Sequence, residues 1–537
     1  MRESCTGTGE LVRLMMRRDR LVLPWWVLAL TMLPVLQAYG TPNLFPTDAQ
    51  LRSYAATLQT PAFVALYGPV FEANPGSLAL TRSGIAPVIV ALIAALIVIR
   101  HTRTEEESGR TELLATTVVG RYAGLAAALI TVSIGLALLG TLLAVGMLAV
   151  GLPLAGSIAV GASYAGAGLM FAAIGAVAAQ LTVSAGGARA IASAAIGFAF
   201  AVRLSGDVSD ATGGSLGWLS FLSPIGWVHQ ARPFAGEQWW VFVPITAFTV
   251  ALTAVAVVIA GRRDSGAGVL PSPLGPPTAG RALSWPEGVA WRLHRVALFG
   301  WAAGFVLLGF VLGSAGRGIE SLFADNPALH QALERLGGTQ TVVDAYFAGI
   351  MGFLGLLASG YAIAGVLKLR GEETSLRAEL LLNAPVSRIR WALGHIGISL
   401  VGAVVLLILG GSAMGVAHGI SVGDLSGQVP RLAGAALVQL AAVIVLAAIA
   451  VAAFGLLPRF AYSVSWTALA AVFLIGQVGA VLELGQWALN VSPFTHLPRL
   501  PGGAFEGLPL LVMALLAFSV TTAGLAAWRR RDMTGAG

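Results

Sequence analysis

The sequence predicts an all-α polytopic membrane protein of about twelve transmembrane helices, built as two parallel six-helix repeats that form a pseudo-dimer. Three observations predict it. The 537 residues are 57% hydrophobic and only 11% charged, with a mean hydropathy of +0.82, whereas a soluble domain carries about 25% charged residues. The runs 85–99, 122–150, 241–260, 301–312 and 433–457 hold no Asp, Glu, Lys or Arg. About 20 such residues cross a bilayer as a helix, because a helix satisfies its own backbone hydrogen bonds in lipid. Finally, one polar pattern occurs twice, 267 residues apart.

The first span is placed at 21–40. Arg13, Arg17, Arg18 and Arg20 precede it and Ala38-Tyr39-Gly40 matches a cleavage site, but the apolar stretch exceeds the roughly 7–15 residues of a signal core. It is read as a retained span. Just before it, 10–20 puts Leu11, Leu14 and Met15 on one helical face and Arg13, Arg17 and Arg18 elsewhere, the pattern of an interfacial helix; a plain basic flank that sets topology is the alternative. The remaining spans fall at 84–100, 122–149, 157–180, 189–205, 240–261, 296–315, 346–368, 391–417, 432–457, 463–484 and 509–528. Residues 1–261 thus form a first repeat and 296–537 a second. Between them 262–295, with Pro271, Pro273, Pro276, Pro277 and Pro286, reads as a cytoplasmic linker, partly extended, and 291–295 occupies the place in the second half that 10–20 holds in the first.

Orientation follows from the basic residues. With the N-terminus inside, the inner segments hold 24 of the 32 Lys and Arg residues, while the acidic residues divide almost evenly, 13 inside and 12 outside. Lys and Arg bias sets topology, so both termini are expected in the cytoplasm of a multi-pass protein of a bacterial cell (inner or plasma) membrane. The net charge of +7 reflects that orientation, and nucleic acid is not an expected partner. Lys368 is the only lysine; this skew to Arg, with abundant Gly and Ala, suggests a GC-rich bacterial genome. The single cysteine, Cys5, excludes an intrachain disulfide and a Cys-based metal cluster.

The repeated pattern is Glu106-Glu107-Ser108-Gly109-Arg110-Thr111-Glu112-Leu113-Leu114 with Arg121 following, and Glu373-Thr374-Ser375-Leu376-Arg377-Ala378-Glu379-Leu380-Leu381 with Arg388 following. Ser223-Pro224 matches Ser492-Pro493 and Arg263-Asp264 matches Arg531-Asp532 within two residues of the same offset; Arg20 and Trp26 match Arg295 and Trp301 at a slightly larger one. Six spans in each half make the repeats parallel. In each copy, Glu106 with Arg110 and Glu373 with Arg377 stand four apart in the favourable helical orientation. Alternatively, Ser108 and Ser375 are N-caps of a helix that starts just after them. The two starts exclude each other, and the sequence does not choose. Either way a short amphipathic helix lies on the inner face. A loop without a partner has no physical reason to keep these side chains in two otherwise diverged copies.

The pattern, its place between spans two and three of each half and the six-plus-six layout resemble the membrane subunits of ABC-2-type exporters, in particular the fused two-repeat actinobacterial permeases of polyketide-antibiotic (tetronasin-type) export. The resemblance covers essentially the whole chain, although only the two inner segments are specific. It implies that each segment is a coupling helix docking on a separate ATP-binding subunit, through Glu106, Glu107, Ser108, Arg110 and Glu112 in the first half and Glu373, Ser375, Arg377 and Glu379 in the second. Thr374 replaces the second Glu, so the two docking surfaces need not be equivalent. Two copies of that subunit are implied, with ATP and Mg bound there and no cofactor on this chain. The resemblance also implies a connecting (elbow) helix at 10–20 and at 291–295, short re-entrant helices at the Ser-Pro sites of the outer loops 206–239 and 484–508, where a plain turn is the alternative, and a substrate path between spans two and five of each half. Phe198, Phe200, Phe347, Phe353, Trp466, Phe473 and Gln477 are its lining candidates, against ordinary packing.

Other chemistry finds little support. A phosphate-binding loop needs Lys before Ser or Thr, and Lys368 precedes Leu369, so any ATPase is another chain. Ion-driven transporters place ionisable residues within the membrane; here Arg203 and Glu483 lie near outer ends and no buried Asp, Glu or His pair is expected. His101, His229, His294, His330, His395, His418 and His496 are scattered without metal-ligand spacing, and each reads as a cap or interface residue. The expected function is therefore a non-enzymatic permease exporting hydrophobic or amphipathic drug- or antibiotic-like molecules. Two rivals remain: an ion-driven twelve-span antiporter, and a membrane enzyme on lipid-linked substrates using outer acids such as Asp48, Asp207 or Asp325. Gly309-x-x-x-Gly313 is spaced for close helix approach.

Overall fold

The computed structural model describes residues 3–20, 22–116, 118–264, 266–270, 277–278, 280–324, 339–478 and 485–531. Among these there are helices and turns but no strand. The chain divides into two compact units, Met1–Gly275 and Pro276–Gly537. Among the described residues eleven helices are long and apolar enough to cross a membrane; the twelfth expected span, 463–484, begins in a helix whose apolar part is Ala461–Gly476 and runs on into residues outside the described set, with Glu483 among them.

In the first unit an amphipathic α1 (Thr8–Asp19) precedes the first span, α2 (Val22–Leu44). Three short helices follow at the far end: α3 (Asp48–Leu58), α4 (Pro61–Tyr67) and α5 (Pro75–Arg82). Thr47 and Asn74 cap the first and third of them through their side chains, accepting otherwise orphaned backbone N–H groups. The chain returns in α6 (Ala86–His101), turns through α7 (Arg103–Glu107) and α8 (Arg110–Ala115), and crosses again in α9 (Ala123–Ala149), α10 (Leu154–Leu181), α11 (Ala185–Ala211) and α13 (Phe242–Arg262), with the short α12 (Pro224–Gln230) before the last. The central helix is α10, packed against α6, α9, α11 and α13. Its Gly161 sits so close to α9 that a Cβ there would lie 2.2 Å from the Gly140 carbonyl oxygen. Lipid offers no hydrophobic drive for association, so such small-residue contacts hold membrane helices together by packing.

The second unit opens with α14 (Pro286–Ala324), a continuous helix of 39 residues. The expected separate connecting helix at 291–295 is therefore its first turns. α15 (Thr339–Thr374) likewise runs on past the expected 346–368 and absorbs the start of the repeated pattern, and α16 (Arg377–Leu382) follows. Then come α17 (Arg388–Val422), α18 (Leu425–Val438), α19 (Leu440–Leu456), α20 (Ala461–Val478), α21 (Gln486–Leu489) and α22 (Gly507–Arg530). The tenth span is thus two helices meeting at the buried Gln439. Gly309 and Gly313 face the α17 backbone: a Cβ would lie 2.2 and 2.3 Å from the carbonyl oxygens of Gly410 and Met414. Of the linker prolines, Pro271, Pro273 and Pro276 lie outside the described residues.

Candidate functional site

The repeated pattern folds at a break in the chain after the second span of each unit. In the first, α7 ends at Glu107 and α8 starts at Arg110; Gly109 between them has φ 73°. In the second, Leu376 takes the same left-handed conformation, φ 60°, between α15 and α16. Neither helix start expected from the sequence is realised. Ser108 and Ser375 are not N-caps: their hydroxyls donate backwards to the Glu105 and Glu372 carbonyls at 3.0 and 3.3 Å. Nor do Glu106 and Glu373 pair with Arg110 and Arg377. The break shifts the pairing by one residue, so Arg110 meets Glu105 at 3.4 Å and Arg377 meets Glu372 at 2.9 Å.

This frees Glu106 and Glu373 for a different role. Glu106 lies between Arg103 at 2.7 Å and Arg263 at 2.5 Å; Glu373 lies between Arg370 at 3.1 Å and Arg531 at 2.5 Å. These twin Arg–Glu–Arg triads tie the end of each unit's second span to the residue just beyond its last. The same end is fastened again by Arg121 Nη2 donating to the Arg263 carbonyl at 2.9 Å and Arg388 Nη1 to that of Arg531 at 3.0 Å. Glu373 is buried and Glu106 nearly so, so neither is a free docking contact, contrary to expectation. Glu107 caps the start of α11, accepting from the Ala185 N–H at 2.8 Å. Among the described side chains, the exposed residues of the short helices are Arg110, Thr111 and Glu112 in α8 and Arg377, Glu379 and Leu380 in α16. Neither Glu112 nor Glu379 has a basic side chain within ion-pairing distance among the described residues. The side chains of Leu113 and Leu114 lie outside the described set.

Arg103, Arg370, Glu105 and Glu372 were not singled out in the sequence, although each pair recurs at the same offset of 267; extending the pattern three residues upstream finds them. The expected interfacial helix at 10–20 is α1, whose Leu11 and Met15 are buried. Arg18 pairs with Glu105 at 2.9 Å. Asp19 is buried against His101 Nε2 at 2.6 Å and Arg100 at 3.0 Å. Burial alone would raise the Asp19 carboxyl, but the hydrogen bond from His101 and the charges of His101, Arg100 and Arg18 together outweigh it and hold the group below its ordinary range. In the second unit this corner is rebuilt. Buried His294 and His395 lie 3.1 Å apart, Nε2 to Nδ1, and Lys368 donates to the Leu293 carbonyl at 2.8 Å. The expectation that no buried ionisable pair exists is therefore corrected, since pairs brought together from distant helices leave no spacing signal in the chain.

At the opposite end of the first unit, buried Arg203 pairs with Asp207 at 3.2 Å and donates to the Ala65 carbonyl at 2.7 Å; Ser220 donates to Asp207 at 2.5 Å. Asp207 is thus a structural partner. Asp48 is an exposed residue in the first turn of α3, and Asp325 lies outside the described residues. Ser223 caps α12, whereas Ser492 opens only a single 3-10 turn, Pro493–His496. Among the expected path residues, Phe198, Phe353, Trp466 and Phe473 have exposed rings. Phe347 does not: it is fully buried against Tyr346 and His418. Phe200 packs against the Arg203 guanidinium at 4.6 Å, and the side chain of Gln477 is outside the described set.

Comparison with known proteins bears on the whole chain. A family model described as the C-terminal domain of the multidrug efflux system permease Rv1217c matches residues 283–529. The multidrug efflux system permease protein Rv1217c of Mycobacterium tuberculosis is 42% identical over 532 residues, covering 98% of this chain and 95% of that protein.

Proposed function

The chain belongs to the family of multidrug efflux system permeases, and from that premise we propose that it is the membrane subunit of an ATP-driven, ABC-2-type exporter of hydrophobic or amphipathic drug-like molecules. A permease is a transport subunit. Hydrolysis is assigned to two copies of a separate ATP-binding subunit that hold ATP and Mg. Residues 1–261 and 296–537 act as two repeats of one permease joined by 262–295, in a bacterial cell membrane with both termini cytoplasmic. The observation that carries the reading is the pair of short helices α8 and α16. Each presents an exposed glutamate, Glu112 or Glu379, with no ion-pair partner among the described residues, and each follows directly on a triad that fixes the preceding helix to the end of the last span. A docked subunit that moved such a helix would move the second and sixth spans with it. Glu106, Glu107 and Glu373 act as positioning residues; Ser108, Arg110, Ser375 and Arg377 border the contact. Phe198, Phe353, Trp466 and Phe473 remain candidates for the path.

Charge reversal tests this. Glu112→Lys with Glu379→Lys should abolish copurification of the ATP-binding subunit or leave its ATPase insensitive to the permease, while the permease itself stays monodisperse. Intact copurification together with intact export would sink the docking assignment. The buried His294–His395 pair favours a second reading, an ion-driven antiporter. Export measured at constant ATP after the proton gradient is collapsed separates the two, because only the antiporter stops.

A further inference from the structure

A cavity of about 60 Å³ opens at the end of the first unit opposite the repeated segment, between α5, the start of α6, α10 and α12. Its wall is apolar at Leu80, Pro87, Val160 and the ring of Phe71. Ser163 lines it, is only 2% exposed, and its hydroxyl has no hydrogen-bond partner among the described residues. Arg232 supplies a charge. Its Nε and Nη2 both donate to Gln230 Oε1, at 3.2 and 3.1 Å, and its guanidinium lies 4.4 Å from the centre of the Phe71 ring. Its Nη1 has no hydrogen bond, and the residue no ion pair, among the described residues. His229 adds no charge, because burial and the nearby Arg203 push its imidazole down to about 3. No Asp or Glu is among the described residues that line the cavity. Of the acids nearest in the chain, Glu237 accepts from the Phe234 N–H at 3.2 Å, and Glu72 is exposed and pairs with no basic side chain among the described residues. What the cavity offers is donors and an unbalanced positive charge, set against apolar walls.

The loop that carries Arg232 is held in place. Arg232 and Phe234 have φ 47° and 61°, a region that residues other than glycine rarely adopt and that persists only where the surroundings over-determine it. Here the Phe234 ring fills the spaces that a Cβ would take at Gly76 and Gly156, and Asn74 Nδ2 donates to the Phe234 carbonyl at 2.6 Å. The chain also carries these residues twice: His229, Arg232 and Gly236 recur as His496, Arg499 and Gly503, at the offset of 267 that relates the two acidic segments. His496 and Arg499 line a hollow in the second unit, but it is larger and includes Glu506, so the unbalanced charge belongs to the first unit.

We propose that this cavity binds the phosphate group of an anionic membrane lipid, with Arg232 Nη1 and the Ser163 hydroxyl facing the phosphate oxygens and the acyl chains lying outside. Three features choose a lipid. A water-sized group needs about 10–15 Å³ of such space, so the cavity admits about four or five of them, the size of a phosphate with its ester oxygens and not of a whole drug-like molecule. Trp218, Trp239 and Trp240 are exposed at the same end of the unit, and exposed Trp gathers at the membrane interface. Ile85 and Ile89, on either side of Pro87, are exposed and give the chains an apolar surface beside the opening. A lipid with one phosphodiester and no cationic headgroup matches the charge. Cytoplasmic termini would make the leaflet the outer one. The binding itself does not rest on the transport reading, and its test uses the permease alone, so failure of ATP coupling cannot be confused with failure of this site.

The probes are dioleoylphosphatidylglycerol, dioleoylphosphatidylcholine, which has the same phosphate and chains but a cationic headgroup, and inorganic phosphate. Binding is followed by native mass spectrometry on purified full-length permease in detergent without nucleotide. The first phosphatidylglycerol should bind more tightly than phosphatidylcholine, and excess inorganic phosphate should not displace it. Arg232→Gln should weaken phosphatidylglycerol about tenfold, the loss of one charge-assisted contact, and leave phosphatidylcholine unchanged, while Arg232→Lys should restore most of the affinity. Ser163→Val supplies an independent variant, since it fills the cavity without removing a charge and should also weaken phosphatidylglycerol. Arg499→Gln, in the second unit, should leave it unchanged. Unchanged phosphatidylglycerol affinity in both Arg232→Gln and Ser163→Val, or equal loss of both lipids in Arg232→Gln, overturns the proposal. Displacement of the lipid by inorganic phosphate would show that the site takes the free ion, and overturns the lipid assignment.

Discussion

Replacing Glu373 by alanine should destabilise the second unit far more than the equivalent change at Glu106 destabilises the first. Glu373 has a side chain only 2% exposed and lies 3.1 and 2.5 Å from the guanidiniums of Arg370 and Arg531. Its removal leaves two cations facing each other, and among the described residues their guanidiniums keep a single other acceptor, the Phe454 carbonyl that takes a bond from Arg531. Breaking a buried ion pair by deleting one partner costs about 3–5 kcal/mol. Glu106 makes contacts as short, at 2.7 and 2.5 Å, but its side chain is 16% exposed, and Arg103 and Arg263 keep other acceptors, the Ala179 and Ala267 carbonyls and Gln180 Oε1. Its loss should cost about 1–3 kcal/mol. At about 2–4 °C per kcal/mol for a unit of this size, Glu373→Ala should lower the melting temperature by about 10 °C, and Glu106→Ala by less than half of that. The assay is the loss of the monodisperse gel-filtration peak after heating in detergent. A triple variant, Arg370→Met, Glu373→Met and Arg531→Met, leaves no charge behind and should recover most of the loss. The reasoning is refuted if Glu373→Ala shifts melting by less than about 2 °C, or if Glu106→Ala shifts it as much.

Three further outcomes follow from the same geometry. The Asp19 carboxyl sits below its unfolded value of 3.8, so its contribution is complete above that pH and is lost as pH falls through the lower folded value. Acid melting between about pH 4 and pH 2 should therefore be less steep in Asp19→Asn, and an unchanged acid limb would contradict this. Leu376→Gly should raise melting by about 2–4 °C, because a leucine at φ 60° carries about 1 kcal/mol of strain and this side chain is 49% exposed; a fall in stability would show that its contacts outweigh the strain. Gly313→Leu should yield no monodisperse protein, since its Cβ would lie 2.3 Å from the Met414 carbonyl oxygen, whereas Gly304→Leu on the same helix meets nothing within 4 Å and should be tolerated. Equal behaviour of the two in gel filtration would refute the close-packing argument.

Much of the repeated segment was visible in the chain. The two copies of the pattern and their spacing needed no coordinates, whereas the exposure of Glu112 and Glu379 did. So did the partners of Glu106 and Glu373. A helix written with Glu and Arg four apart predicts that they meet, but the left-handed residue at 109 or 376 breaks the helix and hands the arginine to the preceding glutamate. Arg263 and Arg531 then arrive from 157 and 158 residues away.

By itself the sequence determined how much of the chain lies in the membrane, where nearly every span runs and that one segment is present twice. Each is a local quantity: hydropathy sums over about 20 neighbouring residues, and a repeat is a comparison along one line. Only the tertiary structure decided which charges are buried and with whom. Asp19 meets His101 across 82 residues and His294 meets His395 across 101, and no periodicity encodes such a meeting. These contacts exist because helices packed through Gly and Ala bring their ends together. The free energy of a buried charge depends on the atoms within a few ångströms of it, not on its neighbours in the chain.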